Sequence, residues 1–301
     1  MTRWRRPPVL LLALAVLLLA ATFTRPILRL ETATYRYLFV FDITQSMNVV
    51  DVPLAAPSQS RLDYAKQTAL QALIDLPCGT EAGLALFSGH RAFLLLTPIE
   101  VCAHYRELSA VLDNISWRMN WERRSEVAKG VHKSISLAQQ MASETRLVFL
   151  TDGHEAPPID PALPPLFRGE SGAIKGLLVG VGGDEPVPIP KFDRDGSPAG
   201  YWQAADFVSG AAATSAHLVQ ADASMAHLSA VHEAYLQGLA GETGLTYLRL
   251  RDAQALARRI KSDELGIPAV TTVDVRWLLA LGALLAFSAS LVCGAAREGP
   301  P

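Results

Sequence analysis

The chain lacks a charge imbalance: Lys and Arg number 27 against 29 for Asp and Glu, a formal net charge of −2. Beyond a short N-terminal cluster of Arg3, Arg5 and Arg6 it has no block of basic residues, so the electrostatic footprint of a nucleic-acid-binding protein is missing. Internal repeats are absent as well. His90, His132 and His154 have no zinc-ligand spacing, and no Ser-His-Asp or Cys-His arrangement offers an activated nucleophile. Gly180-Val181-Gly182-Gly183 follows a strand, but Glu185 stands where a dinucleotide fingerprint needs glycine, which excludes a Rossmann cofactor. Asp193, Asp195 and Gly196 resemble the start of a calcium loop, yet no glutamate closes it, and they read as a turn. Cysteine is scarce, with three in 301 residues.

What the chain does have is apolar residues, 50% of the total, enough to bury a substantial core. Two uncharged runs, 7–24 and 277–296, approach the roughly 20 residues a bilayer-spanning helix needs. The first, led by arginines, reads as an anchor or a signal peptide, and the second as a C-terminal transmembrane helix. Arginines ahead of the first run place the intervening chain outside the cytoplasm.

Between the runs, over residues 35–262, strand and helix patterns alternate, as expected of an α/β fold with a doubly wound, mainly parallel sheet. Tyr35 to Phe41 reads as a buried first strand ending at Asp42. Ser60 opens a helix, with capping-box spacing to Asp63 and a 3.6-residue apolar period. Residues 82–87 and 92–96, separated by Ser88-Gly89-His90-Arg91, are too close for a parallel crossover and form an antiparallel hairpin with one edge strand. Helices are expected over about 102–112, 125–141 and 224–240, and strands over 147–150, 174–181 and 245–250. Residues 155–172 and 182–222, rich in Pro, Gly and Ala, read as excursions from the fold.

Counting outward from a Gly89-His90 turn places Cys78 beside Val101 and Cys102. Either these two form a disulfide, closing a loop of about 25 residues worth roughly 3 kcal/mol in an oxidising compartment, or they are two buried free thiols. Cys293 lies in the second apolar run.

The constellation richest in chemistry begins where the first strand ends: Asp42, Thr44 and Ser46 put a carboxylate and two hydroxyls at alternate positions. Ser125 at the start of a helix and Asp152 at the end of a strand offer matching oxygens, and in a doubly wound sheet such strand ends converge on one crevice. Few carboxylates and several hydroxyls suit Mg²⁺, with Ca²⁺ or Mn²⁺ admitted by looser geometry. Taken singly, an Asp after a strand also caps turns and Ser125 also suits a helix N-cap. Trp117, Met119 and Trp121 precede Ser125 as a partner surface or as packed aromatics, and His154 and Glu155 adjoin Asp152. A haloacid dehalogenase-type phosphatase needs a second Asp where Thr44 stands, so the residues point away from an enzyme.

This order of residues resembles the metal-ion-dependent adhesion site of the von Willebrand factor A family, Asp-x-Ser-x-Ser followed by a Thr and an Asp. It maps onto Asp42, Thr44, Ser46, Ser125 and Asp152, with Thr for the first Ser and Ser for the usual Thr. FDITQSMNVVDV, SRLDYAKQ, LPCGTEAGLALFSGHRAFLLLTPIEVC, WRMNWERRSEVAKG and RLVFLTDGHEAPPI narrow the similarity to bacterial membrane-anchored members of the Bat type and to accessory proteins of methanol oxidation. The resemblance implies a domain in the periplasm at the inner membrane, an open metal position filled by an acidic group of a protein partner, and a part in maturing methanol dehydrogenase through calcium insertion. It also leaves room for a scaffold in a Bat/MoxR-type complex with a chaperone-like ATPase.

Overall fold

A computed structural model describes residues 7–52, 59–141, 144–159, 165–193, 195–206 and 225–295. Two compact units result: residues 33–267, and the segments before and after them. In the second of these, helix α1 (Pro7–Thr22) is followed by strand β1 (Ile27–Thr34), which pairs with β12 (Ile267–Asp274) ahead of helix α7 (Arg276–Ala295). No pattern in the sequence pointed to this β1/β12 pair. Among the described residues, α7 is the one helix long and apolar enough to cross a membrane. The first apolar run, expected to be an anchor or a signal peptide, is an apolar helix over its described residues. The N-terminal arginines and residues 207–224 lie outside the described residues.

The unit of residues 33–267 is built on a six-stranded sheet of order β11-β6-β5-β2-β3-β4. Its strands are β2 (Arg36–Asp42), β3 (Glu81–Ser88), β4 (Arg91–Glu100), β5 (Arg146–Thr151), β6 (Gly176–Gly180) and β11 (Thr246–Arg249). All neighbours run parallel except β3 and β4. Tyr37 to Asp42 are all buried, as both faces of a parallel sheet must be when helices cover them. Side chains alternate across β2. Tyr37, Phe39 and Phe41 share one core with α2 (Arg61–Ile74), α3 (Tyr105–Asn114) and α6 (Ala253–Ile260). Leu38 and Val40 face the other core, with α4 (Val127–Gln139) and α5 (Glu233–Thr243). From β2 the chain winds outward through β3 and β4, then returns to β5 on the opposite side of β2. The strand order therefore reverses between β2 and β5, the switch point where open α/β sheets bind ligands.

Several boundaries shift from those read in the sequence. Helix α3 starts at Tyr105 because the four residues before it form turns, and α4 starts at Val127, after Ser125. The helix expected over 224–240 begins at Glu233 and ends at Gly244, whose left-handed backbone supplies the cap. The excursion after β6 carries two small antiparallel pairs. In one, β7 (Val187–Pro188) meets β10 (Leu228–Ser229). In the other, β8 (Pro190–Phe192) meets β9 (Pro198–Tyr201) around the Asp193 to Gly196 turn.

The β3/β4 hairpin pairs Ser88 with Arg91 at the turn, as counted. Straight counting would set Glu81 opposite Pro98, which has no N–H to give the ladder. Register shifts on either side of Leu84 absorb this, and Glu81 faces Glu100. At the open end Cys78 and Cys102 are joined in a disulfide, while the Glu100 carboxylate accepts from the backbone of Gly79 at 2.7 Å and Ala103 at 2.5 Å. Replacing both cysteines by serine in the full chain should lower stability by about 3 kcal/mol, the worth of a loop of this size. Urea unfolding in detergent under oxidising conditions would show it, and an unchanged midpoint would mean that the hairpin ladder alone holds this end.

Candidate metal-binding site

Strand β2 ends at Asp42, but Ile43 stays attached to the sheet by donating to the Phe87 carbonyl at 3.1 Å. The chain then curls into a short 3-10 turn, Gln45–Asn48. That curl brings Thr44 back onto the carboxylate: Asp42 Oδ1 accepts from the Thr44 amide at 2.9 Å and its hydroxyl at 2.6 Å. Ser46 Oγ lies 3.5 Å from Thr44 Oγ1. From the neighbouring strand Thr151 donates to Asp42 Oδ2 at 2.6 Å.

Asp152 follows Thr151 directly, across the switch point. Its Oδ1 accepts from the His154 amide at 3.0 Å, so the loop after β5 wraps its own carboxylate. Its Oδ2 accepts from Arg61 Nη1 at 2.5 Å and Ser229 Oγ at 2.9 Å, and the same Arg61 nitrogen reaches the Ser46 carbonyl on the β2 side at 3.4 Å. Asp42 and Asp152 are wholly buried, Thr44 and Ser46 nearly so.

Ser125 was expected to open a helix and does not. It forms isolated bridges to Gly89, just past β3, and to Ala156 in the loop after β5, exchanging two backbone hydrogen bonds of 2.8 Å with Ala156. Backbone pairing fixes its place and leaves the side chain uncommitted. Ser125 Oγ is buried without a hydrogen-bond partner, the condition of a polar atom awaiting a ligand.

Sequence reasoning missed the cation beside these groups. Arg61 has no exposed surface. Its guanidinium grips both oxygens of Asp51 at 2.9 and 2.6 Å, as well as Asp152, the Ser229 hydroxyl at 2.6 Å and the Ser229 carbonyl at 3.1 Å. The glycines after β6, discarded as a cofactor fingerprint, belong to this packing. A Cβ on Gly182, at φ 131°, would sit 2.5 Å from Arg61 Nε, and one on Gly183 2.8 Å from Asp51. A signal was present. Arg61, Ala65, Thr68, Ala69 and Ala72 share the buried face of α2, and an arginine on the apolar face of a helix must be paired.

The two carboxylates at the switch point have opposite tendencies. Burial and the adjacent charge of Asp152 push Asp42 well above the usual carboxylate range. Burial acts in the same direction on Asp152, but the Arg61 guanidinium holds it below that range. Among the described residues Asp51 and Asp152 share the Arg61 guanidinium, and Asp42 has no cation within ion-pair distance. Two carboxylates and three hydroxyls of Thr44, Ser46 and Ser125 make a hard oxygen donor set, and the orphaned Ser125 Oγ fits a ligand such as a divalent cation. His154 is buried against His232, and burial lowers its pKa to about 4. Glu155 serves the framework, accepting from Tyr235 at 2.5 Å and from the Ala128 amide at the start of α4 at 2.9 Å.

No family model matches the chain, and no curated protein matches it. Solved structures do. An aerotolerance-related membrane protein from Bacteroides fragilis shares 20% identity over 75% of this chain and 96% of its own, with a TM-score of 0.47. The PilB minor pilin of Streptococcus sanguinis shares 13% over 78% of this chain and 62% of its own, at 0.43. A von Willebrand factor type A protein from Catenulispora acidiphila shares 11% over 85% of this chain and 45% of its own, at 0.38.

Two outcomes are expected from these contacts. Arg61→Leu strands Asp51 and Asp152 without a cation and should cost about 3–5 kcal/mol in chemical unfolding; a loss below 1 kcal/mol would show that water reaches the pair. Burial raises the Glu155 pKa from the ordinary glutamate value to about 7. The fold therefore favours the protonated form, and this contribution is complete below the unfolded pKa and is lost as pH rises through 7. Glu155→Gln retains the acceptor oxygen without the charge, so its melting temperature relative to wild type should climb between pH 5 and pH 8. A constant difference would place Glu155 in contact with water.

Proposed function

We propose that this chain is a membrane-tethered von Willebrand factor A-type domain that binds a divalent metal and a protein partner, and is not an enzyme. One observation carries the reading. Thr44 and Ser46 curl onto Asp42, Thr151 bonds Asp42 across the switch point, Arg61 Nη1 bridges the Ser46 carbonyl and Asp152, and the Ser125 hydroxyl, on a residue bridged to the loops after β3 and β5, is buried without a partner. Mg²⁺ suits this set best, with Ca²⁺ or Mn²⁺ as alternatives. When bound, such an ion supplies a Lewis-acidic open position for a carboxylate of the partner. Asp42 and Asp152 would hold it with the three hydroxyls, Thr151 would keep Asp42 oriented, and Arg61 would keep Asp152 ionised.

Against an enzyme stands the chemistry at position 44. A phosphatase of the Asp-x-Asp type needs a carboxyl there as acid and base, whereas the Thr44 hydroxyl is spent on Asp42 Oδ1. The apolar length of α7 supports a membrane tether. Residence of the domain in the periplasm at the inner membrane, and a part in maturing methanol dehydrogenase as in the MxaL-type accessory proteins, follow from the sequence resemblance; the disulfide accords with an oxidising compartment. The alternative is a metal-free scaffold in a Bat/MoxR-type complex.

Calorimetric titration of Mg²⁺, Ca²⁺ and Mn²⁺ into the full chain in detergent decides between them. Saturable binding is expected for wild type, lost in Asp42→Asn, which removes the charge and one acceptor oxygen, and weakened in Ser125→Ala, which removes a hydroxyl without a partner. Wild-type protein that is folded yet binds none of the three ions would favour the scaffold.

A further inference from the structure

At the open end of the β3/β4 hairpin three metal-ligating side chains meet. The sulfurs of Cys78 and Cys102 and one carboxylate oxygen of Glu100 all lie within 4.8 Å of one another. Cys78 stands just before β3, Glu100 ends β4, and Cys102 follows it by two residues. Glu81, which faces Glu100, also pairs with Arg36 at the start of β2, so the cluster sits at the opposite end of the sheet from Asp42.

Backbone contacts hold this group together independently of the sulfur bond. Val101 donates to the Thr80 carbonyl at 2.9 Å, joining the two cysteine-bearing segments, and the Cα atoms of Cys78 and Cys102 are 5.4 Å apart. Both segments position the Glu100 carboxylate: Oε1 accepts from Gly79, next to Cys78, and Oε2 from Ala103, next to Cys102. Neither bond involves a sulfur, and each oxygen keeps a further lone pair. Burial pushes the Glu100 carboxyl up, but the amides of Ala103, Gly79 and Cys102 hold it below the ordinary glutamate range, as an anion. Both cysteines are exposed, and exposed disulfides are the ones open to exchange with thiols. Once the bond opens, two thiolates and a fixed carboxylate remain, a donor set that suits a tetrahedral ion such as Zn²⁺. Two metal–sulfur bonds of about 2.3 Å need sulfurs roughly 3.8 Å apart, which side-chain rotation reaches from Cα atoms this close.

We propose that Cys78, Cys102 and Glu100 form a redox-gated site for a thiophilic divalent ion of the Zn²⁺ class, closed to metal as a disulfide and open to it as a dithiol. The site goes beyond the binding reading above and does not depend on it. Opening takes a dithiol reductant of the thioredoxin class. That dithiol supplies two electrons and two protons and becomes a disulfide, while the Cys78–Cys102 bond breaks to two thiols. Both thiol protons leave to solvent as the ion binds, and water fills the fourth position. The ion then joins the same two segments that the disulfide joined, so the end of the hairpin stays closed in either state.

The test uses the full chain in detergent, reduced with dithiothreitol, desalted without oxygen and titrated with Co²⁺, whose bonds to thiolate give a charge-transfer absorption that bonds to oxygen do not. Reduced wild type should show this band, lose it when Zn²⁺ is added, and retain it in Asp42→Asn, whereas the oxidised chain should show none. Cys78→Ser should abolish the band. Glu100→Gln should keep it and weaken Co²⁺ binding about tenfold or more, the scale of one altered contact at a metal. Zn²⁺ should also slow maleimide labelling of Cys78 and Cys102 in the reduced chain about tenfold or more, read by peptide mass against Cys293. A reduced wild type that keeps its circular dichroism but gives no band overturns the proposal. So does one that unfolds on reduction and gives none, because the backbone contacts would then fail to hold the cysteines together. Wild-type affinity in Glu100→Gln, or labelling rates indifferent to Zn²⁺, would overturn it as well.

Discussion

A guanidinium with no exposed surface is expensive to hold in a protein interior, and around Arg61 the rest of the crevice is arranged to meet that cost. Asp51 follows the β2 loop, Asp152 ends β5, Ser229 belongs to the β7/β10 pair, and Gly182 and Gly183 let the loop after β6 close over the group. Four segments distant in sequence are thereby fixed to the first turn of α2. The same pairing divides the labour of the two central carboxylates. Asp152 is stabilised as an anion by its cation, whereas Asp42, bonded to hydroxyls and one amide, is pushed by burial and by Asp152 towards its protonated form.

Much of the framework was legible because it follows from periodicity. The continuous apolar run of β2, the amphipathic period of α2 and the tight Gly89-His90 link dictate strand, helix and hairpin through local rules. The acidic and hydroxyl groups of the site were legible for a related reason: they sit at strand ends, and a doubly wound sheet gathers those ends. What escaped depends on tertiary context. Ser125 looks like a helix cap in sequence, and only its bridges to Gly89 and Ala156 show that its hydroxyl is left over. Arg61 follows a capping serine and looks solvated until its place on the buried face is weighed against its charge. The bulges about Leu84 depend on a proline in the partner strand, which pairwise counting from the turn does not anticipate.

The crevice and its rim are made in different ways, and that difference bears on what each can do. Positions 42 and 152 are set by sheet register, so their separation can hardly change without breaking β2/β5 pairing, and such rigidity is what a preorganised oxygen site requires. That rim, residues 117–124 with the β8/β9 hairpin, is held by ring stacking, one hydrogen bond from the Arg118 side chain to a carbonyl and cation–π contacts, on a hairpin whose strands are three and four residues long. Contacts of that strength orient side chains without tying them to the sheet. A surface so built can change its charge and aromatic content with little consequence for the core.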